Sequence, residues 1–146
     1  MIADFLSRLL QPEPAPMADA DARLALCALL VRIARADQNY EAVEQDRIDR
    51  ILRARFGLGV GEAGLLREEG EALEAQAPDT VRFTRAIKEA VPYEERIGVI
   101  EALWQVVLVD GDRDAEEDSL LRLSASLLGV SDIDSARARK RVEAQE

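Results

Sequence analysis

The chain contains no histidine and a single cysteine, Cys27. Without imidazole there is no Ser–His or Cys–His nucleophile, no histidine metal ligand and no proton shuttle near neutral pH. One cysteine cannot close a disulfide within the chain, and a zinc site built from cysteine and histidine is excluded. Cys27 lies in the apolar run LALCALLV, where it reads as a small core residue. No stretch approaches the roughly 20 apolar residues of a membrane-spanning helix. Positive charge is also scarce: 19 basic residues face 29 acidic ones, a formal net charge of −10. Such a surface disfavours nucleic acid and anionic lipid, and makes divalent cations or a basic partner protein the natural counterparts.

What is present is apolar residues at helical spacing. At 146 residues, one domain is expected, with a core large enough to stand alone. The first ten residues, MIADFLSRLL, form a short amphipathic segment with Ile2, Phe5, Leu6, Leu9 and Leu10 on one face. Asp4 and the lack of a basic leader make it a poor signal peptide. The reading is a docked helix in a cytoplasmic protein, with any membrane contact confined to residues 1–10. The proline-rich stretch QPEPAPMA follows as an extended linker, so residues 1–18 are set apart from a helical body over 19–146.

In the body no alternating strand pattern occurs, and the class is all-α. Helices are predicted over 19–36, 43–55, about 61–75, from Pro78-Asp79 to Val91, 93–109, 115–128 and, more weakly, 132–143; with the N-terminal segment this makes seven to eight. Leu24 to Val31 is apolar on every side, which marks a central helix. Pro92 suits a first helical turn and Gly129 a C-terminal stop. The acidic run Glu68 to Gln76 reads as a solvated helix face. Trp104 and Tyr93 read as core and interface rather than a ligand cage.

The two halves repeat. LVRIARADQNYEAVEQDRIDRIL superposes on LWQVVLVDGDRDAEEDSLLRLSA with a shift of 73 residues, so Asp37 falls on Asp110 and Glu44 on Glu117. Each half is a buried helix ending in Asp, an acidic turn and an amphipathic helix. Two such hairpins bury their apolar helices against each other around one core. The second turn carries Asp110, Asp112, Asp114, Glu116, Glu117 and Asp118, six carboxylates in nine residues; the first offers Asp37, Asn39, Glu41 and Glu44. Hard divalent cations take such oxygens. Neither turn is an EF-hand loop, which needs glycine at position six and glutamate at twelve: counted from Asp110 these are Ala115 and Leu121, and from Asp37, Ala42 and Ile48. Helix capping competes for the same residues. Asp114 and Glu117 fit a capping box, and acidic residues in a first turn answer the helix dipole. Arg96, Arg113 and Arg122 are the cations placed to neutralise part of the second cluster.

ARADQNYEAVE (Ala34 to Glu44), YEERIGVIEALWQVVLVDGDRDAEE (Tyr93 to Glu117) and LLGVS (Leu127 to Ser131) resemble the TerB-like family: tellurite-resistance TerB proteins and the N-terminal domain of DjlA-type co-chaperones. The shared pattern is a helix ending Ala-Asp-Gly, an acid a few residues on, and a closing Leu-Gly-Leu/Val-Ser. Gln38 stands where the family favours glycine, and Val109 where it has alanine. The resemblance implies about seven helices in two related halves and a non-enzymatic role in stress response or protein assembly. It also implies divalent-cation ligation at Asp37, Glu44, Asp110 and Glu117; with Asp112 and Asp114 these are the candidate metal ligands. Calcium or magnesium is the expected ion, with no organic cofactor and an unidentified protein partner. The alternative is a co-chaperone-like interaction domain whose turns are only caps. No catalytic residue stands out.

Overall fold

The computed structural model describes residues 19–145 apart from 37, 78 and 109–114, with side chains from residue 22 onward. The amphipathic N-terminal segment and its linker, Asp37, Asp110, Asp112, Arg113 and Asp114 therefore lie outside the described residues. Among the described residues seven helices follow one another: α1 (Asp19–Ala34), α2 (Ala42–Phe56), α3 (Val60–Gln76), α4 (Val81–Ala90), α5 (Tyr93–Val107), α6 (Ala115–Leu127) and α7 (Asp132–Gln145). Among the described residues there is no strand, as the absence of alternating patterning predicts.

The helix α1 sits at the centre, touching α2, α3, α4, α5 and α6. That position explains a segment apolar all round: every residue from Leu24 to Val31 is buried. The second central helix is α5, packed on α1, α2, α6 and α7. The two apolar helices of the repeat thus meet, and the halves share a core in which Ile33, Ile48, Leu52, Ile100, Leu103 and Leu121 are fully enclosed.

The repeat extends further than its motif. Each half is three helices, α1–α2–α3 and α5–α6–α7, with α4 bridging them onto α1 and α6. In each half the third helix packs chiefly on the first. The sequences of α3 and α7 differ, so only the hairpin part is visible as a repeat. The α7 helix buries Ser135, Ala138 and Val142, at i, i+3 and i+7, along α5. The Trp104 indole N–H donates to Ser135 Oγ at 3.2 Å across that contact. On the other side α1 and α3 cross closely: a Cβ on Gly70 would lie 2.5 Å from Cys27 Sγ, so only glycine fits.

The stops are local chemistry. Gly57 and Gly129 end α2 and α6 with φ of 66° and 76°, in the left-handed region that glycine takes without strain. After α6 the Val130 N–H reaches Ala125 O (2.9 Å) and the Gly129 N–H reaches Ser126 O (3.0 Å), which satisfies carbonyls the helix end leaves open. Val130 is buried, and Ser131 Oγ then accepts the Asp134 N–H at 3.1 Å to start α7. The run LLGVS is thus a stop, an anchor and a cap in five residues.

Candidate cation site at the acidic turns

The first acidic turn begins where α1 unwinds. The Ala36 N–H bonds to Ile33 O at 3.1 Å and the Gln38 N–H to Arg35 O at 2.8 Å. Gln38 has φ +64°, the left-handed conformation. A Cβ is unfavourable there, which supplies the physical reason for glycine at this place in the family pattern. The 73-residue shift puts Gly111 on Gln38, so the second turn carries the residue this geometry prefers.

The helix α2 starts after Glu41. The Glu41 N–H donates to Glu44 Oε1 at 3.2 Å, so Glu44 reaches back over the helix start. Glu44 is 4% exposed, and Glu117, its counterpart in the first turn of α6, is 6% exposed. Burying a carboxylate is costly unless it is bonded or coordinated. That the chain does so twice, at matching places in the repeat, sets these two glutamates apart from the other acids among the described residues.

The flank of the first turn is tied to α3. The Tyr40 hydroxyl donates to Glu71, whose Oε2 also accepts Arg67 Nη1 at 3.0 Å, and Arg67 Nε donates to Asp49 Oδ1 at 2.7 Å. Burial and the bond to Glu71 push the Tyr40 hydroxyl well above the ordinary phenol value. The Arg35 guanidinium covers the Tyr40 ring, 4.9 Å from its centre. Arg35 Nη1 donates to Glu74 Oε1 at 3.2 Å, and Arg32 Nε to Glu74 Oε2 at 3.1 Å. Arg32 also closes the end of α3 by donating to the carbonyls of Glu74 (3.0 Å) and Ala77 (2.9 Å).

One sequence expectation changes here. Glu71 and Glu74 are half-buried and bonded, so the run Glu68 to Gln76 is not one solvated face; only Glu68 and Glu69 of its glutamates are exposed. The i, i+4, i+7 stripe Arg67, Glu71, Glu74 carried that signal, since polar residues in a row beside tyrosine and arginine partners form a network rather than a solvent face. Arg96 donates to Val91 O (2.8 Å), Leu128 O (3.2 Å) and Lys88 O (3.1 Å), tying together the C-terminal ends of α4 and α6. Of the aromatics, Trp104 is in the core as expected, while Tyr93 is exposed and bonds Asp134 Oδ2 at 2.8 Å.

Of the six candidate ligands, Glu44 and Glu117 are placed as described, and Asp37, Asp110, Asp112 and Asp114 lie outside the described residues. Among the described residues no three acidic or cysteine side chains group as a metal-holding cluster. Nor is any helix among them long and apolar enough to cross a membrane.

No curated protein matches the chain, and no solved structure does. The family model described as tellurite resistance protein TerB matches residues 23–140, from the first turns of α1 to the middle of α7. With that match over both repeated halves, and with the Leu-Gly-Val-Ser stop in place, the chain belongs to the TerB family.

Proposed function

We propose that this TerB-family chain is a non-enzymatic, cytoplasmic module that binds calcium or magnesium through its acidic turns and works in protein assembly or stress response. The reading rests on the paired burial of Glu44 and Glu117, one in each half, seven residues after Asp37 and Asp110 respectively. A hard cation favours carboxylate oxygens and compensates the desolvation of a buried glutamate. The second turn is expected to be the stronger site: its sequence adds Asp110, Asp112 and Asp114 at alternate positions, and Gly111 falls on Gln38 under the 73-residue shift. The first turn has fewer acids and holds that step with Gln38.

The test is calorimetric titration of the metal-stripped chain with calcium and magnesium, with thermal melts alongside. Saturable binding and a raised Tm are expected, because a ligand of the folded state stabilises it by mass action. Asp110→Asn/Glu117→Gln is expected to abolish the tighter event, and Asp37→Asn/Glu44→Gln only the weaker. A second reading, an interaction domain whose turns are caps, draws on the Glu41 N–H to Glu44 bond. No heat at millimolar calcium, with an unchanged melt, would establish it in place of the cation site.

A further inference from the structure

On the face of α2 that looks toward α5, a chain of net charge −10 concentrates arginine. Arg47, Arg50 and Arg55 line one cleft of about 370 Å³, closed on the far side by Gly98, Glu101 and Gln105 of α5. Arg47 and Arg50 are one turn apart on α2 and Arg55 flanks them from further along the helix, and the cleft volume falls within the range of small-molecule sites.

Arg55 is the enclosed member, half-buried with its guanidinium laid over Gly98. A Cβ at Gly98 would stand 2.9 Å from Arg55 Nη1, so the missing side chain makes the room the arginine occupies. Among the described residues neither Arg50 nor Arg55 makes a hydrogen bond or an ion pair. The nearest carboxylate of the cleft, Glu101, is engaged by Arg141 Nε at 3.3 Å. Burial lowers the proton affinity of Arg55, and Glu101 and then Glu95 act against that. A guanidinium offers five donors in a planar fork that matches oxyanions, and here the fork opens on the cleft.

We propose that the α2–α5 cleft binds a small diphosphate-bearing anion, with Arg55 as its anchor and Arg50 and Arg47 as further contacts. Arg50 and Arg55 leave the helix about 7.5 Å apart along its axis, and Arg47 and Arg55 about 12 Å. Two linked phosphate groups span such separations with less bending of the side chains than a single tetrahedral oxyanion requires. Extended polyanions are disfavoured by the net negative charge and by Glu94 and Glu95, which border the adjoining hollow with Arg55.

The test is titration of the full, metal-free chain with inorganic pyrophosphate at low salt, with ADP as the nucleotide arm and orthophosphate and succinate as controls. Saturable one-to-one binding is expected, at least tenfold tighter for pyrophosphate than for either control. ADP binding as tightly as pyrophosphate would place the diphosphate on a nucleotide; weaker binding of ADP would leave the free anion as the ligand. Arg50→Ala should weaken binding at least tenfold with an unchanged melt. Gly98→Ala, which keeps every charge but displaces the Arg55 fork, should also weaken it, and Glu101→Gln should tighten it. Asp110→Asn/Glu117→Gln should leave it unaltered, which separates this cleft from the cation turns. No saturable heat at millimolar pyrophosphate, equal affinity for orthophosphate, or affinities within twofold of wild type in both Arg50→Ala and Gly98→Ala would overturn the proposal.

Discussion

Backbone handedness decides several outcomes at the residue scale. Gln38, Gly57 and Gly129 all have positive φ, but only Gln38 carries a Cβ. Left-handed backbone costs a non-glycine residue about 1–2 kcal/mol, and glycine's extra freedom in the unfolded chain offsets part of that. Gln38→Gly is therefore expected to raise stability by up to about 1 kcal/mol, and Gly129→Ala to lower it by about 1–2 kcal/mol, read as shifts in urea midpoint at constant slope. Gly70 answers to space instead. Its Cβ would meet Cys27 Sγ at 2.5 Å and the Cys27 carbonyl carbon at 3.2 Å, so α1 and α3 must separate to admit it. Gly70→Ala should cost about 1–3 kcal/mol. Adding Cys27→Ala should recover part of that loss, since the sulfur contact goes while the backbone contact stays.

Polar straps join the elements and locate the first acidic turn. Arg32 is enclosed by α3 and lies 5.0 Å above the Phe83 ring of α4, with Glu74 as its carboxylate partner. Glu74→Ala leaves that guanidinium half-buried without its counter-charge and should destabilise by about 2 kcal/mol; an unchanged denaturation midpoint would show the strap to be incidental. Protons supply a second check. Burial pushes the Cys27 thiol above its ordinary value of 9.0, and burial with the Glu71 bond does the same to Tyr40, whose ordinary value is 10.0. The folded values exceed the unfolded ones, so the stability these groups contribute is intact below about pH 9. Above it the unfolded chain releases protons that the folded chain retains, and stability falls as pH rises, first through the thiol and then through the phenol. Urea midpoints between pH 7 and 11 should decline, and Cys27→Ala/Tyr40→Phe should flatten the alkaline part of the curve.

At the scale of the whole molecule the two halves cannot be stable independently. Each lends its most apolar helix to the other, α1 to α5, with α4 packed on α1 and α6. Separating them would expose a helix apolar on every side. One cooperative transition is expected: Trp104 fluorescence, which reports on the second half, and far-UV circular dichroism should give the same midpoint. Labelling of Cys27, enclosed in the first half, should become fast only across that same transition. A Trp104 transition separate from the loss of helicity would mean that the halves unfold one at a time.

Helix order, the two-fold repeat and the central place of α1 and α5 were legible in the sequence, because apolar spacing and turn residues act locally and because a helix apolar all round has nowhere to go but the middle. The composition likewise ruled out histidine chemistry and a disulfide within the chain. The buried state of Glu44 and Glu117 was not legible. A glutamate in a first helical turn looks the same in sequence whether it faces water or the core, and which it does depends on what packs over the turn. The same holds for Glu71 and Glu74, solvated by composition but drawn inward by Tyr40, Arg67, Arg32 and Arg35 from elements 31 to 42 residues away or one turn along the helix. Arg55 is the clearest case. Its spacing places it on a face of α2, but only the missing side chain of Gly98, brought opposite by the packing of α2 on α5, opens the space it fills. Local periodicity and turn chemistry determine which segments are helices; which charges lose water is decided by contacts between residues far apart in the chain.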